Sequence, residues 1–373
     1  MQFAALATVQ HRLRLGAPLP FNVRDADHTL LLARGQQVAS AEQLQALMQR
    51  GALVDLAELQ SARDEVMKAP RSALPRLWSR GLERISQALT ASPDGGFRDA
   101  LDEAMQPLQA LVERDPDLAI FQVLRQGGGA DMAYGARRSM QTAVTATLVA
   151  QRLGWDTVPC ARVFKVALTM NLSMLELQGQ LARQQTALSP AQRQELQTHP
   201  MRSVRMLELA GVADEAWLTA VLRHHEQDDG SGYPAGHTDA GDLASLARRA
   251  DIYTSKLASR STRDALAADL AGRQMFMQDP GHPMTAALVR EFGIYPPGCH
   301  VRLSTGAIGI VVERGPTITT PVVACLTTAR GATLAAPLRC AVDGKTVTVA
   351  GVVGEAGAGG GRSLDELLAL VSP

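Results

Sequence analysis

The chain lacks an excess of either charge: Lys plus Arg number 37 and Asp plus Glu number 37, for a formal net charge of zero. No long basic run interrupts that balance, so the electrostatic footprint of general nucleic-acid binding is missing and no nucleic-acid partner is expected. Cysteine is scarce as well. Cys160, Cys299, Cys325 and Cys340 are scattered with no CxxC pair, which fits reduced packing residues better than a disulfide framework or a zinc knuckle. The first residues, MQFAALATVQHRLRLG, have too short an apolar stretch, and no basic flank ahead of it, for a signal peptide. No apolar run approaches the length of a membrane span, so a cytoplasmic protein without membrane contact is expected.

What is present is chain enough for more than one core: 373 residues suggest about two or three domains. The expected fold class is mainly α, a helical domain flanked by a small N-terminal α/β module and a small C-terminal β-domain. Residues 1–65 alternate short apolar runs with turns and carry a helix signal from Ser40, with Gln43 as its capping partner. Residues 66–129 read as a helical connector broken at Ser92-Pro93-Asp94-Gly95-Gly96. Helical periodicity runs through 130–292: Val144, Leu148, Val149 and Leu153 share a face ahead of Gly154, and Ser189-Pro190 with Gln192 supplies an N-cap, first-turn proline and capping partner. The period changes to two over 293–353, the mark of strands. The tail, 354–373, is Gly-rich and then helical from the capping box Ser363 to Glu366. It is expected to dock on the body or on a partner.

The most informative segment is His224-His225-Glu226-Gln227-Asp228-Asp229-Gly230-Ser231-Gly232-Tyr233-Pro234. Adjacent histidines at a helix end, followed by a glycine-rich loop closed by proline, are a demanding combination, because glycines permit backbone geometry that other residues resist. The string resembles the signature of the HD-GYP family, helical hydrolases of the bacterial second messenger cyclic di-GMP. The resemblance runs over about 134–292 and on into Phe292-Gly293-Ile294-Tyr295-Pro296-Pro297-Gly298, and the N-terminal module is similar to one often found ahead of such domains.

The resemblance implies a cluster of hard metal ions held by histidine and carboxylate, which activates water and clamps a phosphodiester. Carried over position by position, it makes His199, His224, His225 and Asp251 metal ligands. The family's His-Asp doublet and the following lysine fall where this chain has Met170, Asn171 and Met174, and an earlier histidine preceded by an acid falls at Gln141 and Arg137. An Asn amide cannot supply the bridging negative charge of an Asp, and a Met thioether is a soft ligand poorly suited to iron or manganese. The resemblance is therefore to a degenerate member, with no catalytic residue expected and no full metal cluster. The four surviving candidates either hold a single divalent ion (iron, manganese or zinc) or form a hydrogen-bonded polar core.

Lys256, Arg260 and Arg263 follow Asp251 on its helix and would meet phosphate or form a solvated face. The loop residues Glu226, Asp229, Gly230, Gly232, Tyr233 and Pro234 shape a nucleotide pocket, present Tyr233 to a partner such as a GGDEF-domain protein, or serve as a plain turn. The expected role is that of a non-catalytic adaptor or cyclic di-GMP sensor, with a residual one-metal phosphodiesterase as the rival. A homodimer is compatible with the sequence, which carries no motif for or against one.

Overall fold

The computed structural model describes residues 3–13, 15–55, 61–91, 96–125, 133–258, 261, 265–354 and 362–371. The chain divides into two compact units, Met1–Ala69 and Pro70–Pro373.

In the first unit, β1 (Phe3–Ala5), β2 (Val23–Arg24), β3 (Leu30–Leu32) and β4 (Leu53–Asp55) form an antiparallel sheet in the order β1-β4-β2-β3. Helix α1 (Ala41–Gln49) starts where expected, with Ser40 Oγ accepting from Gln43 N at 3.2 Å. Leu44 and Leu47 join Leu6, Phe21, Val23 and Val54 in the core. The short α2 (Ala62–Lys68) closes the unit on a Ser61–Asp64 capping box.

The second unit is organised around α6 (Tyr134–Arg152). From Tyr134 to Ala150 every residue but Arg137 is buried, as befits a helix enclosed on all sides by others. Gly135 shows why small residues line it: a Cβ there would lie 2.4 Å from the carbonyl oxygen of Leu175. The expected connector, α3 (Leu74–Thr90), α4 (Phe97–Arg114) and α5 (Pro116–Arg125), packs directly onto α6 through its apolar faces. On other sides of α6 lie α7 (Thr157–Thr169), α8 (Leu175–Arg183), α11 (Asp242–Leu257) and α13 (Pro283–Phe292). Gly154, at φ +77°, ends the α6 segment as expected.

Helix α9 (Pro190–Leu209) opens on the Ser189–Gln192 capping box, and α10 (Glu215–Arg223) packs on α9 and α7. One stretch departs from expectation. The 27 residues Thr157–Arg183 are long and apolar enough to cross a membrane by length and composition alone, but 61% of that apolar window is buried inside the unit, as core.

Beyond α12 (Ala268–Gln278) and α13 comes the expected β-domain, with β5 (His300–Leu303), β6 (Ile308–Glu313), β7 (Val322–Thr327), β8 (Thr333–Ala341) and β9 (Val349–Val352). They form one antiparallel sheet in the order β8-β7-β6-β5-β9 over a core of Val301, Leu303, Val311 and Val323. Arg314, just past β6, ties this sheet to the helices by ion pairs with Asp117 of α5 and Glu291 of α13. The tail helix α14 (Leu364–Val371) is capped by Ser363 and Glu366 and buries Leu367, Leu368 and Val371 against α5 and β6. The tail thus docks on the body.

Candidate metal centre

Three histidines converge from two helix segments. His199 lies within α9, immediately before Pro200, while His224 caps the C-terminus of α10 and His225 follows it. One nitrogen from each ring lies within 4.8 Å of the others. The Nδ1 of His199 is 2.7 Å from Leu196 O, and the Nδ1 of His224 is 2.7 Å from Val221 O. A carbonyl oxygen only accepts, so each Nδ1 carries the hydrogen and each Nε2 is left with a lone pair. Those two Nε2 atoms face each other at 3.1 Å. Neutral rings so arranged repel, and a cation between them removes the conflict. Two imidazole nitrogens on one tetrahedral ion at ~2.1 Å stand about 3.4 Å apart, close to the spacing seen.

Electrostatics keeps the rings neutral. Burial holds His224 well below the ordinary histidine value and lowers His199 as well. For His225 burial, reinforced by His199 and Arg248, lowers the pKa to about 3. Neutral imidazoles are the form that binds metal. The sign of the resulting pH dependence follows. The unfolded chain takes up these protons near pH 6.5 and the folded one refuses them, so stability is full above that pH. It is lost as pH falls from there toward the folded values. The loss is about 1.4 kcal/mol per pH unit for each histidine. Thermal melts in chelator should therefore drop steadily from pH 7 to pH 5, with a shallower slope in His225→Gln; equal slopes would contradict this account.

Asp251, on α11, does not join the three rings. Its Oδ1 accepts from Arg138 Nη2 at 3.1 Å and from Thr142 Oγ1 at 3.3 Å, both on α6. The cation brought to this carboxylate is thus Arg138, a residue the sequence reading passed over, and not its neighbour Arg137, which stands half-buried at the rim of the helix. Gln141 turns away: its Nε2 donates to Val123 O at 3.1 Å, with Arg138 Nη1 on its Oε1 at 3.4 Å. The signal that could have found Arg138 was the arginine doublet itself, since a one-residue change of register rotates a helix position by about 100°.

A cavity of about 410 Å³ opens beside the rings. His199, His225, Tyr233, Arg138 and Asp251 line it, together with Asn171, Met174, Gln178 and Leu188. Met170 is fully buried and lies outside the lining. Lys256 is turned toward α12, where Nζ donates to Gln274 Oε1 at 2.9 Å. Arg260 and Arg263 lie outside the described residues.

Comparison with known proteins places this region. Residues 130–269 match the HD domain family. A stretch of 138 residues is 33% identical to the cyclic di-GMP phosphodiesterase PA4108 of Pseudomonas aeruginosa. The alignment takes in 35% of this chain and 33% of that protein, so the chain spans about a third of that relative's length. The solved structure of Bd1817, a HDG"Y"P protein from Bdellovibrio bacteriovorus, aligns over 77% of this chain and 97% of its own, at 15% identity and a TM-score of 0.45.

Within the HD segment, the loop after His225 is built to hold that ring. Glu226 is fully buried, and its two carboxylate oxygens accept from Ala235 N at 2.8 Å and His237 N at 3.0 Å, closing the loop on itself. Tyr233 stacks on His225 with centroids 4.5 Å apart and planes 17° from parallel. Gly232 is required by crowding: a Cβ would fall 2.4 Å from His225 O and 2.5 Å from Gln227 N. Gly230 sits at φ +74°, where glycine costs least. Asp229 is exposed and accepts from Ser231 N and Oγ, and Pro234 is also exposed. A second support was not anticipated from the sequence. Arg249, 2% exposed, donates from Nε to Asp279 at 2.8 Å and from Nη2 to Asp228 at 3.2 Å, fastening the loop's first turn to the end of α12.

Three neutral imidazoles with converging lone pairs fit one divalent ion with open positions. The Asp251 carboxylate beside the same cavity is paired with the Arg138 guanidinium at 3.1 Å.

Proposed function

We propose that this chain is an HD-GYP-like protein of cyclic di-GMP signalling that binds the nucleotide and does not cleave it. The observation that carries this reading is the Arg138–Asp251 pair, 3.1 Å long, in the wall of the cavity beside the three histidines. A guanidinium matches a phosphodiester by shape and charge, yet supplies neither a nucleophile nor an exchangeable coordination position. Asn171 and Met174, where the resemblance expects an anionic ligand and a lysine, add no charge to the cavity lining. The cavity can therefore attract a phosphate at Arg138 without assembling the charges that break it.

The inward placement of Tyr233 and Glu226 favours the sensor reading over an adaptor acting through this loop toward a GGDEF-domain partner. The converging nitrogens favour one bound ion. When bound, such an ion supplies Lewis-acid polarisation to a phosphoryl oxygen, which keeps a residual phosphodiesterase as the second reading.

Calorimetry and product analysis separate the two. Cyclic di-GMP should bind with measurable heat, and no linear or monomeric product should appear over hours in the presence of iron or manganese. Turnover that disappears in His224→Ala would establish the phosphodiesterase instead, and absence of any binding would remove both.

A further inference from the structure

The cavity beside the histidines contains a polar side chain to which the fold gives no work. Asn171 is 5% exposed and lines that cavity, yet among the described residues its amide makes no hydrogen bond and does not cap the turn that follows it, Leu172–Met174. Its amide atoms are also absent from the sealed, partnerless polar atoms of the interior, which include Tyr134 Oη and Gln178 Oε1, so they open into the cavity. An amide placed in this way costs free energy until water or a ligand satisfies it.

The position of Asn171 is fixed by its neighbours. Ser173, two residues on, donates from N to Ser203 Oγ at 3.1 Å and from Oγ to His199 O at 3.0 Å. These bonds hold the turn against the segment of α9 that carries His199, and Asn171 and His199 open on the one cavity, which Arg138 and Asp251 also line.

We infer that Asn171 is a specificity-determining residue for the phosphodiester, its Nδ2 donating to a non-bridging phosphate oxygen while Arg138 meets the charge. The inference rests on the nucleotide-binding reading above. A neutral amide suits this place where a carboxylate does not. It offers two N–H donors and adds no negative charge beside Asp251, whereas an aspartate only accepts and repels phosphate. Because neither end of the amide is bonded within the protein, Nδ2 turns to the ligand without breaking an existing contact.

Calorimetry with cyclic di-GMP on the full chain, without added metal and with thermal melts alongside, tests this. Asn171→Asp keeps the shape of the side chain but replaces its donors by a charged acceptor, and affinity should fall roughly 30-fold or more. Asn171→Ala removes only the bond and should cost about fivefold. Its melting temperature should match that of the unmodified protein, since the amide holds nothing together in the free chain. If Asn171→Asp or Asn171→Ala binds as tightly as the unmodified protein, the inference falls while nucleotide binding stands. A melting temperature that drops together with affinity in Asn171→Ala would assign the residue to the fold and overturn the inference as well. If the unmodified protein binds no cyclic di-GMP, the functional reading itself falls, and the role of Asn171 with it.

Discussion

Protein purified anaerobically should carry one divalent ion per chain, and His224→Ala should lose it, with metal affinity falling at least 100-fold. His224 is the ring most constrained in its role. It is fully buried, its Nδ1 is committed to Val221 O, and its Nε2 is aimed at the Nε2 of His199 across 3.1 Å. Removing it takes away one of three nitrogen ligands and the partner of the closest lone-pair contact. Metal content by mass spectrometry and a cobalt titration give the stoichiometry and the affinity. If iron, manganese and zinc are all near zero and none can be reconstituted, the rings form a polar core in which one imidazole must be protonated to share a hydrogen with its neighbour. Burial opposes that state in all three.

Arg138→Met is the second large effect, and it separates structure from binding. The Arg138 side chain is 6% exposed and that of Asp251 26%. Breaking a fully buried pair costs about 3–5 kcal/mol because one charge is left without a partner. With Asp251 partly solvated, about 2 kcal/mol is expected in urea unfolding. Affinity for cyclic di-GMP should fall at least tenfold in calorimetry, while the ion on the three histidines is retained, since Arg138 contacts none of their rings. An unchanged nucleotide affinity would mean that Arg138 serves only to neutralise Asp251.

Much of the architecture was legible because it rests on local signals. Ser40, Ser189 and Ser363 cap helices as their partners at the third following position predict, since a cap is satisfied within a few residues whatever surrounds it. The change from a helical period to a period of two located the β-domain. The dipeptide His224-His225 and the glycines after it pointed to the site for the same reason: Gly232 and Gly230 are demanded by local backbone geometry.

The rest depended on contacts between distant segments. The sequence was read as holding no span, yet the helical stretch Thr157–Arg183 is long and apolar enough for one, and 61% of its apolar window is buried among other helices. Gln141 and Arg137 were read as standing where the resemblance places a histidine and the acid before it, and sequence spacing fixes a helix position only to within a residue. The rotation of α6 against α11 decides which side chain arrives, and it brings Arg138. Arg249 gave no signal at all, being one arginine of a doublet whose partners, Asp228 and Asp279, are 21 and 30 residues away.

By itself, then, the sequence determined a mainly helical chain with flanking α/β and β modules, four candidate ligands in His199, His224, His225 and Asp251, and a loop whose glycines permit backbone geometry that other residues resist. These follow from propensity, capping and backbone sterics, which act over a few residues. The tertiary structure alone decided that Asp251 is claimed by a cation instead of joining the histidines, and that the tail helix docks on the body. Each of these is set by how rigid helices pack against one another, and a packing angle is a property of the whole core that no short run of residues encodes.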